Sequence, residues 1–359
     1  MLALALISVP VWCCTSVIIS GKATVDGRPL MLKHRDTSHL DNSVGYFRGP
    51  LYSFIGLVNA ETAFDGEVWT GTNEKGFSIM NTASYNIKDD DIPYSEMDGE
   101  GVLMHRALGI CATLADFEAF LDTLSRPLRV EANFGVIDAC GGAAYYEVNN
   151  RFWVKYDVAS DPKGYRVVTN FSESGSREKY KGYERYVTAT ELFAEMLPAR
   201  PYKVNHGDIF NGISRSYRNR ERGVAYVIPR NITSASLVIE GVAPGENPLH
   251  TVMWTVLGYP LCSVAVPLLV GNGCLLPSYM MPGDDGRSQM CSLAREMKAK
   301  EVDLRPRCRK AESRIDALFG EKYNQWVSGG MSDGVFFREY AKMRTSFMQI
   351  YKEEFAKND

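Results

Sequence analysis

Cys14 stands where an apolar leader meets a β-branched segment, "CTSVIIS", and a second segment, "PLMLKHRD", runs back from the Asp26-Gly27 turn to end on a charged cluster. A cysteine that begins a mature chain carries its own base, because its α-amine titrates near ~7.7–8.0 and sits on the same residue as the thiol. Such a thiol can attack an amide carbonyl, hold the acyl group as a thioester and pass it to water. Pairing the two segments antiparallel about a centre near residue 25 predicts position 14 opposite position 36. Asp36 is then the expected holder of the amine, and Lys33 and Arg35 supply positive charge that favours a thiolate. A disulfide partner or a packed thiol also fits a cysteine at this place. The "HRD" triplet resembles a kinase catalytic loop, but neither the glycine-rich loop nor the D-F-G that would accompany it is present.

Residues 2–12, "LALALISVPVW", have the length of a signal-peptide core and fall short of the roughly 20 residues of a membrane span. Val11 and Cys13 occupy the positions before the expected cut, which makes 1–13 a leader and Cys14 the first mature residue, in a secreted or periplasmic protein. Trp12 and Cys13 argue against a lipoprotein site, and a charged segment ahead of the apolar run is missing. The other long apolar stretch, "TVLGYPLCSVAVPLLVGNGCLLP", is broken by Pro260 and Pro267, so it reads as strands and turns in a core, with no stable membrane anchor.

With 40 Lys+Arg against 43 Asp+Glu the net charge is -3, which gives no electrostatic reason to expect nucleic acid as a partner. Eight cysteines leave seven after leader removal and an even six beside a free Cys14; the last six show no C-x-x-C spacing of a zinc site. Neither metal nor organic cofactor is expected. The acidic "KDDDIP" turn lacks the alternation of a calcium loop, and His105, alone in a helical segment, reads as a packing residue.

Short β-branched or aromatic runs from Cys14 to about Asp91 predict antiparallel strands, with "LYSFIGLV", "GEVWTGTN" and "GFSIMNTAS" following the first two. Residues 101–127 change to helical period and end at Pro127. A hairpin turning at Cys140-Gly141-Gly142 follows, and "FWVKYDVA" and "YRVVTNFS" are expected to continue that sheet. A second helical block covers roughly 176–197; "ASLVIEG", "HTVMWTVLGYP" and "CSVAVPLLVG" predict further strands. From about Ser288 the chain is charged and helical, with Leu318, Phe319, Tyr323, Trp326, Phe336 and Tyr340 on packing faces. Strands and helices alternate in groups, which predicts an α+β fold. The expected organisation is one catalytic domain over 14–287, with 288–359 as C-terminal helices packed on it.

"CTSVIISGKATVDGRPLMLKHRDT" resembles the opening of N-terminal-nucleophile (Ntn) hydrolases of the choloylglycine hydrolase, acid ceramidase and penicillin acyltransferase clan, in which a processed cysteine precedes a hairpin and an Arg-x-x-Asp. "NEKGFSIMNTAS", "VVTNFS", "SRSYR" and "TVMWTVLGYP" fit further elements in order, over roughly 14–271, with the acyltransferase-like members closest. The resemblance implies an αββα sandwich of two antiparallel sheets between helical layers. It implies Cys14 as nucleophile and base, Asp36 as orienting carboxylate, Asn81 and Asn170 as oxyanion-hole amides, and Arg218 as a site residue, with Arg215, Lys33 and Arg35 in support. Lys33 departs from the family pattern, since lysine cannot reproduce the bidentate fork of arginine, and leaves open which of Lys33 and Arg35 serves the nucleophile.

The expected activity is hydrolysis of a linear carbon-nitrogen amide bond in a small amphiphilic N-acyl substrate. Tyr46, Phe47, Tyr52, Phe54, Phe64 and Tyr85, in or near loops, are candidates for an apolar acyl pocket. Acyl transfer to an amine and cysteine dipeptidase activity use the same chemistry, and a non-catalytic envelope binding protein is the reading from another class. Relatives in this clan often form oligomers, which leaves a homo-oligomer open.

Overall fold

A computed structural model describes residues 14–97, 99–197, 203–217, 227–271, 273, 275–300 and 302–356. Residues 1–13, the expected leader, and Arg218 lie outside the described residues.

The segment after Cys14 forms β1 (Thr15–Ile19), buried at every position, and the return segment forms β2 (Leu30–Asp36), equally buried. Residues 17–19 of β1 and 30–32 of β2 are apolar on consecutive positions, as suits strands covered on both faces. The first sheet has the order β10 (Tyr165–Val168), β1, β2, β11 (Thr233–Glu240), β12 (Val252–Leu257), β13 (Val266–Leu268). The second is a meander in chain order: β3 (Asn42–Arg48), β4 (Ser53–Asn59), β5 (Thr70–Asn73), β6 (Ser78–Ala83), β7 (Ala132–Ile137), β8 (Ala143–Val148) and β9 (Trp153–Asp157). Every described ladder is antiparallel.

β1 and β2 pack against β7 and β8, so the sheets lie face to face. Their approach is close: a Cβ added to Gly135 would stand 2.5 Å from Met80 Cε and 3.1 Å from Ile18 Cδ1, so a side chain there would displace the ends of both. On the outer face of the second sheet α1 (Glu100–Ile110) buries Leu103, Met104, Ala107 and Leu108, followed by α2 (Leu114–Thr123). On the first sheet α3 (Tyr183–Met196) covers β1 and β10, and the short α4 (His206–Ile209) covers β11. The C-terminal helices α5 (Gln289–Lys298), α6 (Arg305–Val327) and α7 (Asp333–Ala356) lie on the β12–β13 side, where Tyr340 Oη donates to Pro267 O at 2.8 Å and Tyr323 Oη to His250 O at 2.6 Å. The architecture is therefore the α+β, αββα sandwich expected. No described helix is long and apolar enough to cross a membrane.

Four details differ from the sequence-based expectation. The helix over 101–127 is two, because Thr113 and Asp116 form a capping box that starts α2 afresh. β3 was not anticipated; its "NSVGYFR" mixes polar and glycine positions. Tyr46 and Phe47 lie in it, not in loops, and Phe54 is fully buried in β4. Finally, β9 and β10 belong to different sheets: β10 leaves the meander to pair with β1, which carries residue 170 towards Cys14.

Candidate active site

β1 and β2 pair as Thr15 with His34, Ser16 with Lys33 and Val17 with Leu32. One further step of this ladder puts Cys14 opposite Arg35, one residue away from the expected 14–36 pairing. Side chains alternate along a strand, so this register places Lys33 and Arg35 on Cys14's face, towards the second sheet, and turns His34 and Asp36 to the other face. The facing is visible at Ser16, whose hydroxyl meets Tyr145 Oη of β8 at 3.0 Å. Asp36 still reaches Cys14 through its main chain, with Cys14 Sγ 4.0 Å from its carbonyl oxygen.

The two candidate cations separate clearly. Arg35 donates to the side-chain oxygens of Asn42 and Asn59 and lies 4.8 Å over the Trp69 ring, so it ties β2 to the β3–β4 hairpin. Lys33, 2 % exposed, donates to both the main-chain and side-chain oxygens of Asn81, the side-chain bond at 2.9 Å, and Cys14 lies close enough to favour its charged form. Burial dominates and lowers the Lys33 pKa from its ordinary value. With both Asn81 oxygens held by Lys33, the amide's donor end, Nδ2, is left without a hydrogen-bond partner among the described residues.

Asn170 follows β10 and is fully buried. Its Nδ2 donates to Ala83 O at 2.9 Å, just past Asn81 on β6, and its Oδ1 accepts from Arg185 Nη2 at 2.7 Å. Arg185, on α3, also donates to the Cys14 carbonyl oxygen and to Thr15 Oγ1 at 3.0 Å. One guanidinium thus fixes the Cys14 main chain and Asn170 together. Arg185 was not singled out in the sequence, although a signal existed: Arg185, Thr188, Ala189, Leu192 and Phe193 are the buried positions of α3, spaced as one helical stripe. A charge on the apolar stripe of a helix is the mark of a residue with an interior job. Arg185→Met is expected to leave Asn170 Oδ1 and Cys14 O unsatisfied and to destabilise the fold by about 3 kcal/mol or more, checked by urea unfolding.

Asp36 is completely buried. Its Oδ1 accepts from Thr233 Oγ1 at 2.6 Å, with Arg230 Nη1 3.8 Å from Oδ2, and Oδ2 has no hydrogen bond among the described residues. Burial raises its pKa to about 6, against the lowering effects of Thr233, Arg185, Arg230 and Lys33. Beside it His34 is pushed down to about 3, first by burial and then by Arg185, and is neutral. For an acid raised from 3.8 to about 6, the stabilising share is complete below pH 3.8 and is lost as pH rises through about 6. Asp36→Asn is accordingly expected to flatten the fall in unfolding midpoint between pH 4 and pH 7, measured by thermal melts.

Arg215 is not part of this cluster. It forms a two-pronged pair with Glu312 of α6 at 2.7 and 2.6 Å and donates to the carbonyls of Pro260 and Ser263, so it bolts a C-terminal helix to the first sheet. All six described cysteines are free thiols. No group of three or more His, Cys, Asp or Glu side chains suited to a metal ion occurs among the described residues.

No protein-family profile matches the chain, and no curated protein matches it in sequence. Solved structures that overlay on it include an N-acylethanolamine-hydrolyzing acid amidase ortholog from Caenorhabditis elegans, 17 % identical with a TM-score of 0.47, over 63 % of this chain and 92 % of that one. A variant of the conjugated bile acid hydrolase from Clostridium perfringens is 13 % identical, with a TM-score of 0.43 over 68 % of this chain and 89 % of its own. Penicillin V acylase from Agrobacterium tumefaciens is 13 % identical, with a TM-score of 0.43 over 71 % and 86 %.

Proposed function

We propose that this chain is a cysteine amidohydrolase that cleaves linear carbon-nitrogen amide bonds of small N-acyl substrates, with Cys14 as nucleophile after removal of residues 1–13. The observation that carries this reading is the convergence at Cys14 of Lys33, which holds Asn81, and the Asp36 carbonyl at its thiol, and of Arg185, which holds Asn170, at its main chain.

Each group fits a step. Sγ attacks the substrate carbonyl carbon and the carbonyl oxygen becomes an oxyanion. The unpaired Nδ2 of Asn81, with the second N–H of Asn170, supplies donors fixed in advance, each typically worth about 2.7–4 kcal/mol of barrier. The amine leaves with a proton, and water releases the acyl group from the thioester. Asp36 Oδ2, buried without a hydrogen-bond partner, is the acceptor available to a newly freed α-amine. Phe171 and Tyr180 stack at 4.4 Å immediately after Asn170, with Tyr183 and Tyr186 beside them, which supports an apolar or amphiphilic acyl group. Secretion or periplasmic export supplies the leader removal that this chemistry needs.

Acid quenching during turnover of N-acyl amino acids, N-acylethanolamines, bile-acid conjugates and penicillin V tests the reading. The Cys14 peptide is expected to carry the acyl mass in a hydroxylamine-labile bond, and mature protein to begin at Cys14. A mature chain with residue 14 internal and no acylated peptide under turnover would overturn it.

A further inference from the structure

Lys33 is buried in a way that a merely supporting cation need not be. Among the described residues no carboxylate lies within ion-pair distance of its ammonium; its hydrogen-bond partners are the two neutral oxygens of Asn81. The titratable and charged groups acting on it are Cys14 from the start of β1 and Arg35 and Asp36 from β2. Arg35 opposes its charge, Asp36 is itself held towards the neutral acid by burial, and the face from β6 is the neutral Asn81. Burial without a carboxylate partner favours the neutral amine over the ammonium, and an amine in its neutral form beside a thiol is a base.

We propose that Lys33 is a second acid–base residue of this site, exchanging the Cys14 proton directly, so that the thiol is activated whether or not its own α-amine is free. This rests on the reading of Cys14 as nucleophile. The Sγ–H bond breaks as an Nζ–H bond forms, giving a thiolate and an ammonium in contact. The thiolate attacks the carbonyl carbon; the ammonium returns its proton to the departing nitrogen as the C–N bond breaks. Neutral Lys33 then takes a proton from the water that attacks the thioester, and that proton goes back to sulfur as the C–S bond breaks. Arginine at this position holds a fixed charge and can do none of these transfers. A chain with lysine here therefore has a route to acyl chemistry that an arginine chain lacks.

The test uses the chain beginning at Cys14 and the same chain with one glycine ahead of Cys14, which blocks the α-amine as a base. Iodoacetamide alkylation at pH 7, followed at the Cys14 peptide by mass, is expected to run within about threefold in the two chains. Lys33→Met is expected to slow it about tenfold or more in both, and Lys33→Arg to restore it. Next, p-nitrophenyl acetate acetylates Cys14. The glycine-extended chain with Lys33 is expected to lose the acetyl group and turn over, whereas its Lys33→Arg variant stays acetylated, deacylating on the order of 10²-fold slower. If Lys33→Met does not fold, the lysine–arginine comparison alone decides. Loss of alkylation on glycine extension, or equal deacylation with Lys33 and with arginine, would overturn the proposal. Failure of the nucleophile reading shows differently: the acetyl group and the acyl mass would then appear on a residue other than Cys14.

Discussion

Cys14→Ala is expected to lower amide turnover by on the order of 10⁴-fold or more while leaving the fold intact. The first half follows from chemistry: without sulfur there is no atom to form the acyl bond, and Lys33, Asn81 and Asn170 have nothing to activate or stabilise. The second half follows from packing. Cys14 is 6 % exposed and precedes β1, and its thiol lies beside Lys33 and 4.0 Å from Asp36 O. Losing one sulfur atom at that edge is expected to cost about 1 kcal/mol or less. Initial rates read beside the thermal midpoint separate the two. An alanine variant with an unchanged midpoint and a rate within tenfold of the parent would end the assignment of Cys14. Serine at this position is expected to fold equally well, with a poorer nucleophile.

Glu312→Ala is expected to have the largest effect on stability, about 3–5 kcal/mol. Arg215 is 1 % exposed, and Glu312 neutralises it through both oxygens while also accepting from Ala265 N at 2.7 Å. Removing the carboxylate strands a buried guanidinium among neutral acceptors, the carbonyls of Pro260 and Ser263 and, at 3.5 Å, Asn211 Oδ1. Replacing both partners with apolar residues of similar size, as in Arg215→Met with Glu312→Leu, is expected to recover most of the loss, because no buried charge is then left alone. Urea midpoints for the two single variants and the double variant form the cycle that checks this. Near-zero cost for Glu312→Ala would mean that α6 is held by its aromatic packing alone. The site should respond only indirectly, since this pair lies on the β12–β13 side of the first sheet.

Local chemistry made much of this protein legible. The β-branched and apolar segments on either side of the Asp26-Gly27 turn predict a hairpin, and the family resemblance carried by the stretches around Asn81 and Asn170 implies the αββα layout that the two sheets adopt. Legibility failed where a face or a distant partner had to be chosen. Register was one such case. A shift of one residue moved Asp36 off Cys14's face and put Lys33 on it, and nothing in "KHRD" distinguishes those outcomes. Arg35 and Arg215 were another, because a cation's role depends on which acceptors arrive from other strands and helices: Asn42, Asn59 and Trp69 for the first, Glu312 for the second.

Sequence by itself determined that a cysteine follows a short apolar run, that a hairpin comes after it, and that grouped strands and helices form a layered α+β core. Those properties depend on residue type and period, which are local. Tertiary structure alone decided that Lys33 and not Arg35 meets Cys14, that β10 leaves the meander to bring Asn170 beside β1, and that Arg185 clamps Cys14 and Asn170 together. Such choices come from burial, which depends on every element at once: a charge inside the sandwich persists only where opposing strands and helices supply its partners.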